Sequence, residues 1–436
     1  MTDNVTTGKS AGLFQIQKRG FQEWMVLIIA LWPFLMNILL AIPSVPNTVK
    51  YIADGVLVLF ALKVFAGKKL RIRRAIFPFV FLIGTFLIYT LLIYVFQFQS
   101  PFYYLWGIRN NFRSYIAFFI FVELTSQKEA NNWYNLLDKL FWINFVLSLF
   151  QFFFMGIRQD YLGGVFGIKG ATNGYTQIFM YIVVAKSLLC YQEKKEKAGM
   201  CLAKCTAALL IAAMAELKFF FVVMVLLLVM TSLLTHFNWK KVGAYFSIGI
   251  AIAISISLLE NWFGFEDFFS VENLWRLATQ ENYSSGQDLN RLSAIGTLSK
   301  TIVTKPLERL FGLGLGNCDT SSFAICNTPF FRRYSFLHYI WFSAPMMFLE
   351  TGYIGLLMYL GFFVLCFFQA RKRKEEGTGN KLFCQMAMIM SVLCCIYAFY
   401  NSALRIEAAY MIYFVLALPF IKQETPANTV TNDTHI

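Results

Sequence analysis

The sequence predicts an all-α integral membrane protein with about twelve transmembrane helices and one long external loop between helices 9 and 10. Two observations support this prediction. Hydrophobic residues make up 58% of the 436 residues and charged residues only 14%, with a mean hydropathy of +0.57. Long apolar runs also recur along the chain, and a helix needs about 20 mainly apolar residues to cross a bilayer. This composition excludes a soluble multidomain enzyme.

Twelve runs are apolar enough to form the predicted spans. They lie at 23–42, 52–66, 76–96, 113–125, 136–155, 175–191, 200–216, 219–236, 242–259, 340–370, 383–400 and 408–421. The second and fourth are short enough to be tilted or partly interfacial. The predicted organisation is therefore helices 1–9 with an N-terminal tail in 1–259, the loop with an amphipathic helix in 260–338, helices 10–12 in 339–421, and a C-terminal tail in 422–436.

Lysine and arginine clusters predict the orientation. They fall in alternate loops, at 68–74, 128–139, 194–197, 240–241, 371–381 and 422. Because basic loops are retained on the cytoplasmic side, both termini are expected to be cytoplasmic and the loop 260–338 external. The net charge of +14 is thus a topology signal. Nucleic acid is not an expected partner, since that needs a basic stripe on a soluble module.

The side predicted to be external is rich in arginine, which binds phosphate and carboxylate bidentately. In the stretch WGIRNNFR, Arg109 and Arg113 are four residues apart, on one face of a helix. Two guanidinium groups on one face repel unless an anion lies between them. A bound diphosphate is one candidate, and pairing with carboxylates such as Glu266 or Glu272 is the other. Interfacial packing of arginine is a further, purely structural explanation.

Two other segments on the same side carry candidate residues. The glycine-rich turn 156–175 contains Arg158 and Lys169; it is interpreted either as irregular backbone whose amides hold an anion or as a flexible turn. The stretch AELK places Glu216 and Lys218 close to the hydrocarbon, where ionisable residues are functional candidates. A structural ion pair is the alternative.

The long loop contains the segment on which the functional interpretation depends. Apolar residues recur every three or four positions over 289–302, which predicts an amphipathic helix carrying Arg291. The following stretch FGLGLGN contains Gly312, Gly314 and Gly316. Since no strand precedes it, it is not a dinucleotide fingerprint; the glycines are expected to allow a close backbone approach or a sharp turn.

Cys318 and Cys326 are the two of nine cysteines that this topology places clearly outside. In an oxidising compartment they could form a disulfide that closes a short loop. The other cysteines are expected to be apolar fillers. No Cys or His spacing matches a metal site, and no cofactor is expected.

His338 is the histidine with a functional context, because it lies in the external segment near Arg332 and Arg333, with Glu350 twelve residues further on. A proton acceptor that titrates near neutrality is what activation of a hydroxyl requires. The alternative is a structural histidine, satisfied by its neighbours.

In this order, the motifs resemble the O-antigen polymerase and O-antigen ligase superfamily. The resemblance rests on an Arg-led amphipathic helix, a Lys-Pro pair, FGLGLGN, a histidine, and an E-x-G-x-x-G helix start, and it extends to WGIRNNFR, AELK and the twelve-span layout. The matching positions are Arg291, Lys305, Pro306, His338, Glu350, Gly352 and Gly355.

The resemblance implies a GT-C-like, inverting glycosyltransferase of the bacterial inner membrane, with its active site on the periplasmic face and no metal or nucleotide sugar. Its donor is an undecaprenyl-diphosphate-linked oligosaccharide. Arginines would stabilise the charge that develops on the departing diphosphate. The residues expected to hold the diphosphate are Arg109, Arg113, Arg158 and Arg291, with Lys169 and Arg405 as further candidates. His338 or Glu350 would accept the proton of the acceptor hydroxyl.

Three functions are compatible with the sequence. A polymerase of lipid-linked repeat units, working with a chain-length-regulating membrane protein, is preferred, because Tyr339 stands after His338 where ligases commonly have Asn. A ligase would transfer the chain to lipid A core. A lipid-linked oligosaccharide transporter also has many spans and cationic cavities, but the two halves of this chain show no repeat.

Overall fold

The computed structural model describes residues 21–42, 44–66, 73–170, 172–235, 242–264, 288–321 and 323–422. These residues are helical, with no strand among them. The long helices are α1 (Phe21–Leu40), α2 (Ile52–Ala66), α3 (Phe77–Phe96), α4 (Pro101–Leu124), α5 (Gln127–Phe153), α6 (Asn173–Gln192), α7 (Ala198–Met214), α8 (Lys218–Leu234) and α9 (Val242–Phe263). After them come the short helices α10 (Ala294–Thr301), α11 (Pro306–Phe311) and α12 (Pro329–Tyr334), and then α13 (Ser343–Glu375), α14 (Lys381–Tyr400) and α15 (Ala409–Ala417).

Each apolar run of the sequence coincides with a helix of this series. Among the described residues, five helices are long and apolar enough to cross a membrane, at Phe77–Phe96, Gln127–Phe153, Gly243–Phe263, Ser343–Glu375 and Lys381–Tyr400. Shorter apolar helices occupy Val26–Leu40, Ala198–Met214, Lys218–Leu234 and Ala409–Phe420. Helix α6 forms the centre of the bundle, because nearly all of its residues are buried.

Helix α4 begins earlier than the sequence predicted. The apolar run starts at residue 113, but the helix starts at Pro101, directly after Ser100. Proline is favoured in the first turn, where its missing N–H costs no hydrogen bond. Arg109 and Arg113 therefore lie within α4 rather than in a turn before it. They are one helical turn apart on the same face.

Helix α13 is broken at Gly352, which has φ 66° and ψ −168°. The break leaves carbonyl groups without partners in the helix, and the FGLGLGN turn satisfies them: the N–H of Leu313 donates to the carbonyl of Leu349 (2.8 Å) and that of Gly314 to the carbonyl of Glu350 (3.0 Å). A Cβ at Gly352 would lie 2.3 Å from the carbonyl oxygen of Leu310. The predicted close approach of this glycine-rich turn is thus confirmed.

The same turn also packs against α4. Gly316 has φ 82°, and a Cβ there would lie 1.9 Å from the carbonyl oxygen of Tyr103; a Cβ at Gly107 would lie 2.5 Å from the nitrogen of Gly316. Only glycine permits two backbones to approach this closely. The turn consequently fixes α4 against the broken helix α13.

The predicted amphipathic helix over 289–302 is shorter than expected. The helix α10 starts at Ala294, and Arg291 lies in the turn before it. Two interactions hold this turn: the N–H of Leu289 donates to the carbonyl of Leu337 (3.3 Å), and the side chain of Asn290 accepts from the N–H of Leu292 (3.3 Å). A side chain that bonds the local backbone competes with helix formation in this way.

The bundle has two chemically different ends. At one end α2 and α4 begin and α14 ends; it carries the ion pairs described below and is named the arginine end. At the opposite end, Arg73 donates to Glu123 (2.8 Å) and to the carbonyl of Phe420 (3.0 Å), and Lys422 pairs with Glu123 (3.2 Å). These contacts tie the ends of α4 and α15 together.

Candidate functional site

The two arginines of α4 bind carboxylates of the protein. Arg109 donates from Nε and Nη2 to Oδ2 of Asp54, at 2.9 and 2.6 Å. Arg113 donates to Oε1 of Glu407 at 2.7 Å and to the carbonyl of Arg405 at 2.8 Å. The anions between the two guanidinium groups are therefore Asp54 and Glu407. Glu266 and Glu272, the carboxylates named from the sequence, lie outside the described residues.

The irregular segment Asn401–Ala408, between α14 and α15, supplies a second ion pair. Arg405 donates from Nη2 to Asp319 (3.0 Å) and from Nε to Asn111 (3.0 Å), and Asn110 donates to Asp319 (2.7 Å). These side chains are buried or nearly so. Together with the pairs of α4 they form the arginine cluster, made of Arg109, Arg113, Arg405, Asp54, Asp319 and Glu407.

Glu407 lies at the centre of this cluster. Its second oxygen accepts a hydrogen bond from the hydroxyl of Tyr175 at 3.2 Å. Burial raises the pKa of Glu407, but the guanidinium of Arg113, which attracts and hydrogen-bonds the carboxylate, outweighs it, so that the pKa is below its ordinary value. The cluster accordingly keeps this carboxylate ionised at neutral pH.

Glu350 is fully buried at the end of the first half of α13. Its Oε2 accepts from Asn111 at 3.3 Å and lies 4.0 Å from Nη2 of Arg405, while its Oε1 has no hydrogen-bond partner among the described residues. The Glu350 side chain has no exposed surface. This geometry favours an interior role for Glu350 over that of the base.

His338 has a different environment. It adopts the left-handed conformation (φ 52°) between two short 3₁₀ turns, its Nδ1 lies 2.6 Å from Oδ1 of Asp288, and its ring stacks on Trp341 at 4.0 Å. The side chain is 39% exposed. A carboxylate on one ring nitrogen fixes the tautomer and orientation of an imidazole, which suits it to act as a base with the other nitrogen.

Arg291 lies three residues after Asp288. Its guanidinium is positioned over the ring of Tyr400, 4.4 Å from the centroid, and Phe219 stacks on the same ring with centroids 4.0 Å apart. Phe219 follows Lys218, whose ammonium pairs with Glu216 at 3.1 Å. The segment 288–291 therefore contacts both His338 and Tyr400, the last residue of α14 at the arginine end.

Two predicted residues are not part of this arrangement. Arg158 is exposed and contacts the ring of Phe152 (5.4 Å), and Lys169 is exposed and donates to the carbonyl of Leu40 (2.6 Å). No contact within the described ranges joins either one to the arginine cluster. Their assignment to the diphosphate-binding set is not supported by this geometry.

The middle of the glycine-rich turn packs against α5, while its two flanks, which carry Arg158 and Lys169, are exposed. The N–H of Gly164 donates to Gln151 (2.8 Å), and that of Val165 donates to Asn144 (3.0 Å). Side chains of α5 therefore accept hydrogen bonds from two of the backbone amides that were candidates for binding an anion. The middle of the turn is buried, so these two amides are not open to an anion.

The disulfide considered for Cys318 and Cys326 is not formed. Both are buried free thiols in the structure. The hydroxyl of Tyr339 donates to the carbonyl of Cys318 at 2.7 Å, and burial, followed by the nearby charge of Glu350, raises the pKa of the Cys318 thiol. Each cysteine is packed as a small apolar side chain, which explains why no loop is closed here.

The sequence did not identify the acidic partners. Asp54, Asp288, Asp319 and Glu407 come from separate stretches of the chain, and the sequence favoured Glu266 and Glu272 as partners of the arginines instead. The sequence feature that could have identified such a partner is an acidic residue at the edge of an apolar run, since an ionisable residue near hydrocarbon needs a partner. In the described ranges, no group of three His, Cys, Asp or Glu side chains is arranged to hold a metal ion.

The fold and this site indicate a membrane-embedded protein whose described residues are helical and which carries the arginine cluster at one end of its bundle. A scan against protein-family models finds no match to the chain, and a search of curated proteins finds none either.

Proposed function

We propose that the protein is a membrane glycosyltransferase that polymerises undecaprenyl-diphosphate-linked oligosaccharide repeat units into a surface polysaccharide. In this proposal the arginine end faces the exterior of the bacterial inner membrane and both termini are cytoplasmic. The proposal rests on the contacts of the segment 288–291. This segment combines a carboxylate that orients His338 with an arginine at the same end of the bundle.

The reaction that fits this pair is inverting transfer. The acceptor hydroxyl attacks the anomeric carbon of the donor, a new glycosidic bond forms, and the bond to the diphosphate breaks. The proton of the hydroxyl passes to His338, with Nδ1 held by Asp288 and Nε2 as the basic atom. The electron pair of the broken bond stays on the diphosphate as negative charge, which a positioned cation stabilises.

Arg291 is the cation assigned to the diphosphate, because Lys218 already pairs with Glu216 of the protein. The Arg291 guanidinium lies over the ring of Tyr400, on which Phe219 also stacks, and the Arg291 side chain is only half-buried. Arg109, Arg113 and Arg405 receive a different role from the one that the sequence favoured. Their guanidinium groups donate to carboxylates and carbonyls of the protein, so they hold α2, α4 and the segment Asn401–Ala408 in place.

Substitutions at Arg291 and His338 test this proposal. The purified protein, reconstituted in lipid, is incubated with lipid-linked repeat units, and the products are separated by length. Arg291→Lys keeps the charge but loses the bidentate donor geometry, and His338→Gln loses the base. Each variant is expected to lower the rate of polymer formation by about 100-fold, the range for a lost general base or electrostatic donor.

Arg333→Lys is the matched control, because Arg333 is exposed and contacts the ring of Tyr334 (5.4 Å) in the same part of the chain. It is expected to leave the product ladder unchanged. Full polymer length and yield in both Arg291→Lys and His338→Gln would contradict the proposed site.

A second candidate is a lipid-linked oligosaccharide transporter. The helix broken at Gly352, with Glu350 buried just before the break, is the observation that favours it, since broken helices line the substrate sites of many transporters. Movement of labelled lipid-linked oligosaccharide across vesicles, without any product ladder, distinguishes a transporter. Transfer that occurs only when lipid A core is added distinguishes a ligase.

A further inference from the structure

Trp341 presents an open aromatic face beside the proposed base. Its indole stacks on the imidazole of His338, with ring centroids 4.0 Å apart and an interplanar angle of 13°. Trp341 is nevertheless 51% exposed. Because a parallel stack covers one face of a ring, an indole that keeps this much exposed surface has its opposite face open.

The turn that carries Trp341 is held by its neighbours. Tyr339 is fully buried, and its hydroxyl donates to the carbonyl of Cys318 at 2.7 Å. Phe342 is 4% exposed, and the backbone N–H of Trp341 donates to the carbonyl of His338 at 3.0 Å. The indole is therefore fixed in an outward position, and a ring that is preorganised in this way loses little freedom when it binds a ligand.

Polar groups reach the surface next to this ring. Asp288, whose Oδ1 lies 2.6 Å from Nδ1 of His338, has a side chain that is 27% exposed, and the side chain of His338 is 39% exposed. A carboxylate at the surface is favourable in water and costly in the bilayer core. An exposed aromatic ring beside such groups suits a ligand that has an apolar face and polar edges.

We infer that Trp341 binds a pyranose ring of the acceptor oligosaccharide, namely the sugar next to the one whose hydroxyl reacts. This inference rests on the proposed function, because it takes His338 as the base. One face of a pyranose consists of C–H groups, which pack on an aromatic ring, while its hydroxyl groups lie at the edge. A pyranose therefore has the two kinds of surface that Trp341 and its surroundings offer.

The position of the open face determines which sugar is bound. A ring stacked there is separated from the imidazole by two stacking distances of about 4 Å each. A general base must lie within about 3 Å of the oxygen from which it takes the proton. The stacked ring lies too far from His338 to carry the reacting hydroxyl, so that hydroxyl belongs to the sugar linked to it.

The test compares two soluble acceptors, using the full-length protein and a lipid-linked repeat unit as donor. One acceptor is the terminal sugar of the repeat unit as its methyl glycoside, and the other is the terminal disaccharide in the same form. Binding of a non-reacting sugar favours only the longer acceptor. The wild-type protein is expected to use the disaccharide about tenfold better by kcat/KM, and Trp341→Leu is expected to reduce this preference to about twofold or less.

The ratio of the two acceptors separates sugar stacking from the orientation of His338, because a misplaced base slows both acceptors equally. Trp341→Phe keeps an aromatic face and should retain most of the preference. Phe336→Leu is the control, because Phe336 is a similarly exposed ring (46%) two residues before His338, and it should leave the ratio unchanged. An undiminished preference in Trp341→Leu would overturn the inference; it is the result expected if Trp341 only anchors the protein at the membrane interface.

A binding measurement keeps this inference separate from the proposed function. Saturation-transfer NMR of the disaccharide glycoside, with the protein in lipid nanodiscs, requires no reaction. If the wild-type protein transfers no sugar, the proposed function fails, but saturation transfer to the disaccharide that is lost in Trp341→Leu and kept in Phe336→Leu still supports sugar stacking on Trp341. Saturation transfer that is absent in the wild-type protein, or equal in both variants, would overturn it.

Discussion

The ion pair between Arg113 and Glu407 is deeply buried in the arginine cluster, so the loss of either partner should be costly. The two side chains are 5% and 7% exposed, and Nη1 lies 2.7 Å from Oε1. Replacing Arg113 with Met keeps the length of the side chain but leaves the carboxylate of Glu407 buried without its main partner. Removing one member of a buried pair costs about 3–5 kcal/mol. We expect Arg113→Met to lower the free energy of unfolding by this amount.

The structure offers a control of the same chemistry at the surface. Arg371 donates to Glu375 at 2.8 Å, with both side chains more than half exposed. Arg371→Met is expected to cost less than about 1 kcal/mol, because exposed ion pairs contribute little. Unfolding is measured by reversible denaturation in mixed micelles, followed by tryptophan fluorescence.

A double-mutant cycle identifies the pair itself. Glu407→Gln combined with Arg113→Met is expected to cost less than the sum of the two single variants, with a coupling of at least about 1 kcal/mol. The explanation is refuted if Arg113→Met costs no more than Arg371→Met, or if the two substitutions are additive.

Three further predictions concern the same end of the protein. The pKa of Glu407 is below its ordinary value. Its contribution to stability is therefore complete above the ordinary carboxylate pKa and is lost as the pH falls through the pKa of the folded state. The thermal unfolding temperature, measured between pH 7 and 3, should show a plateau above about pH 5 and a decline below it, and the decline should be shallower in Glu407→Gln. Gly316→Ala should prevent correct packing of the helices, since its Cβ would lie 1.9 Å from a backbone oxygen. Gly361→Ala is the control, because a Cβ there meets no described atom within 4 Å, and it should be neutral or stabilising. Both variants are compared by gel filtration and by unfolding. Cys318 and Cys326 should both be alkylated after denaturation without reductant, and a mass consistent with a bond between them would contradict the structure.

The helices could be predicted from the sequence because their cause is local. An apolar run long enough to bury its backbone in lipid becomes a helix wherever it lies in the chain, and the runs at 76–96 and 383–400 correspond to α3 and α14 within a few residues. The close packing of the FGLGLGN turn was likewise predictable, since Gly312 and Gly316 indicate positive φ or a near backbone.

The site could not be predicted in the same way. The carboxylate that pairs with Arg113 is 294 residues away in sequence, and the acid that orients His338 is 50 residues away. Which acid meets which base depends on how the helices pack, and a side chain's charge carries no information about that. Asn290 shows the same limit locally, because its side chain bonds the N–H of Leu292 and the helix α10 starts only after Arg291.

The product of the purified protein is the most direct test of the central proposal that the arginine end transfers sugar chains from a lipid diphosphate. The protein is incubated with lipid-linked repeat units alone, and the glycans are released and separated by size. We expect a ladder with the spacing of one repeat unit in the absence of lipid A core, and its loss in His338→Gln. The account is contradicted if no ladder forms under conditions in which the protein remains folded, or if the ladder persists undiminished in that variant.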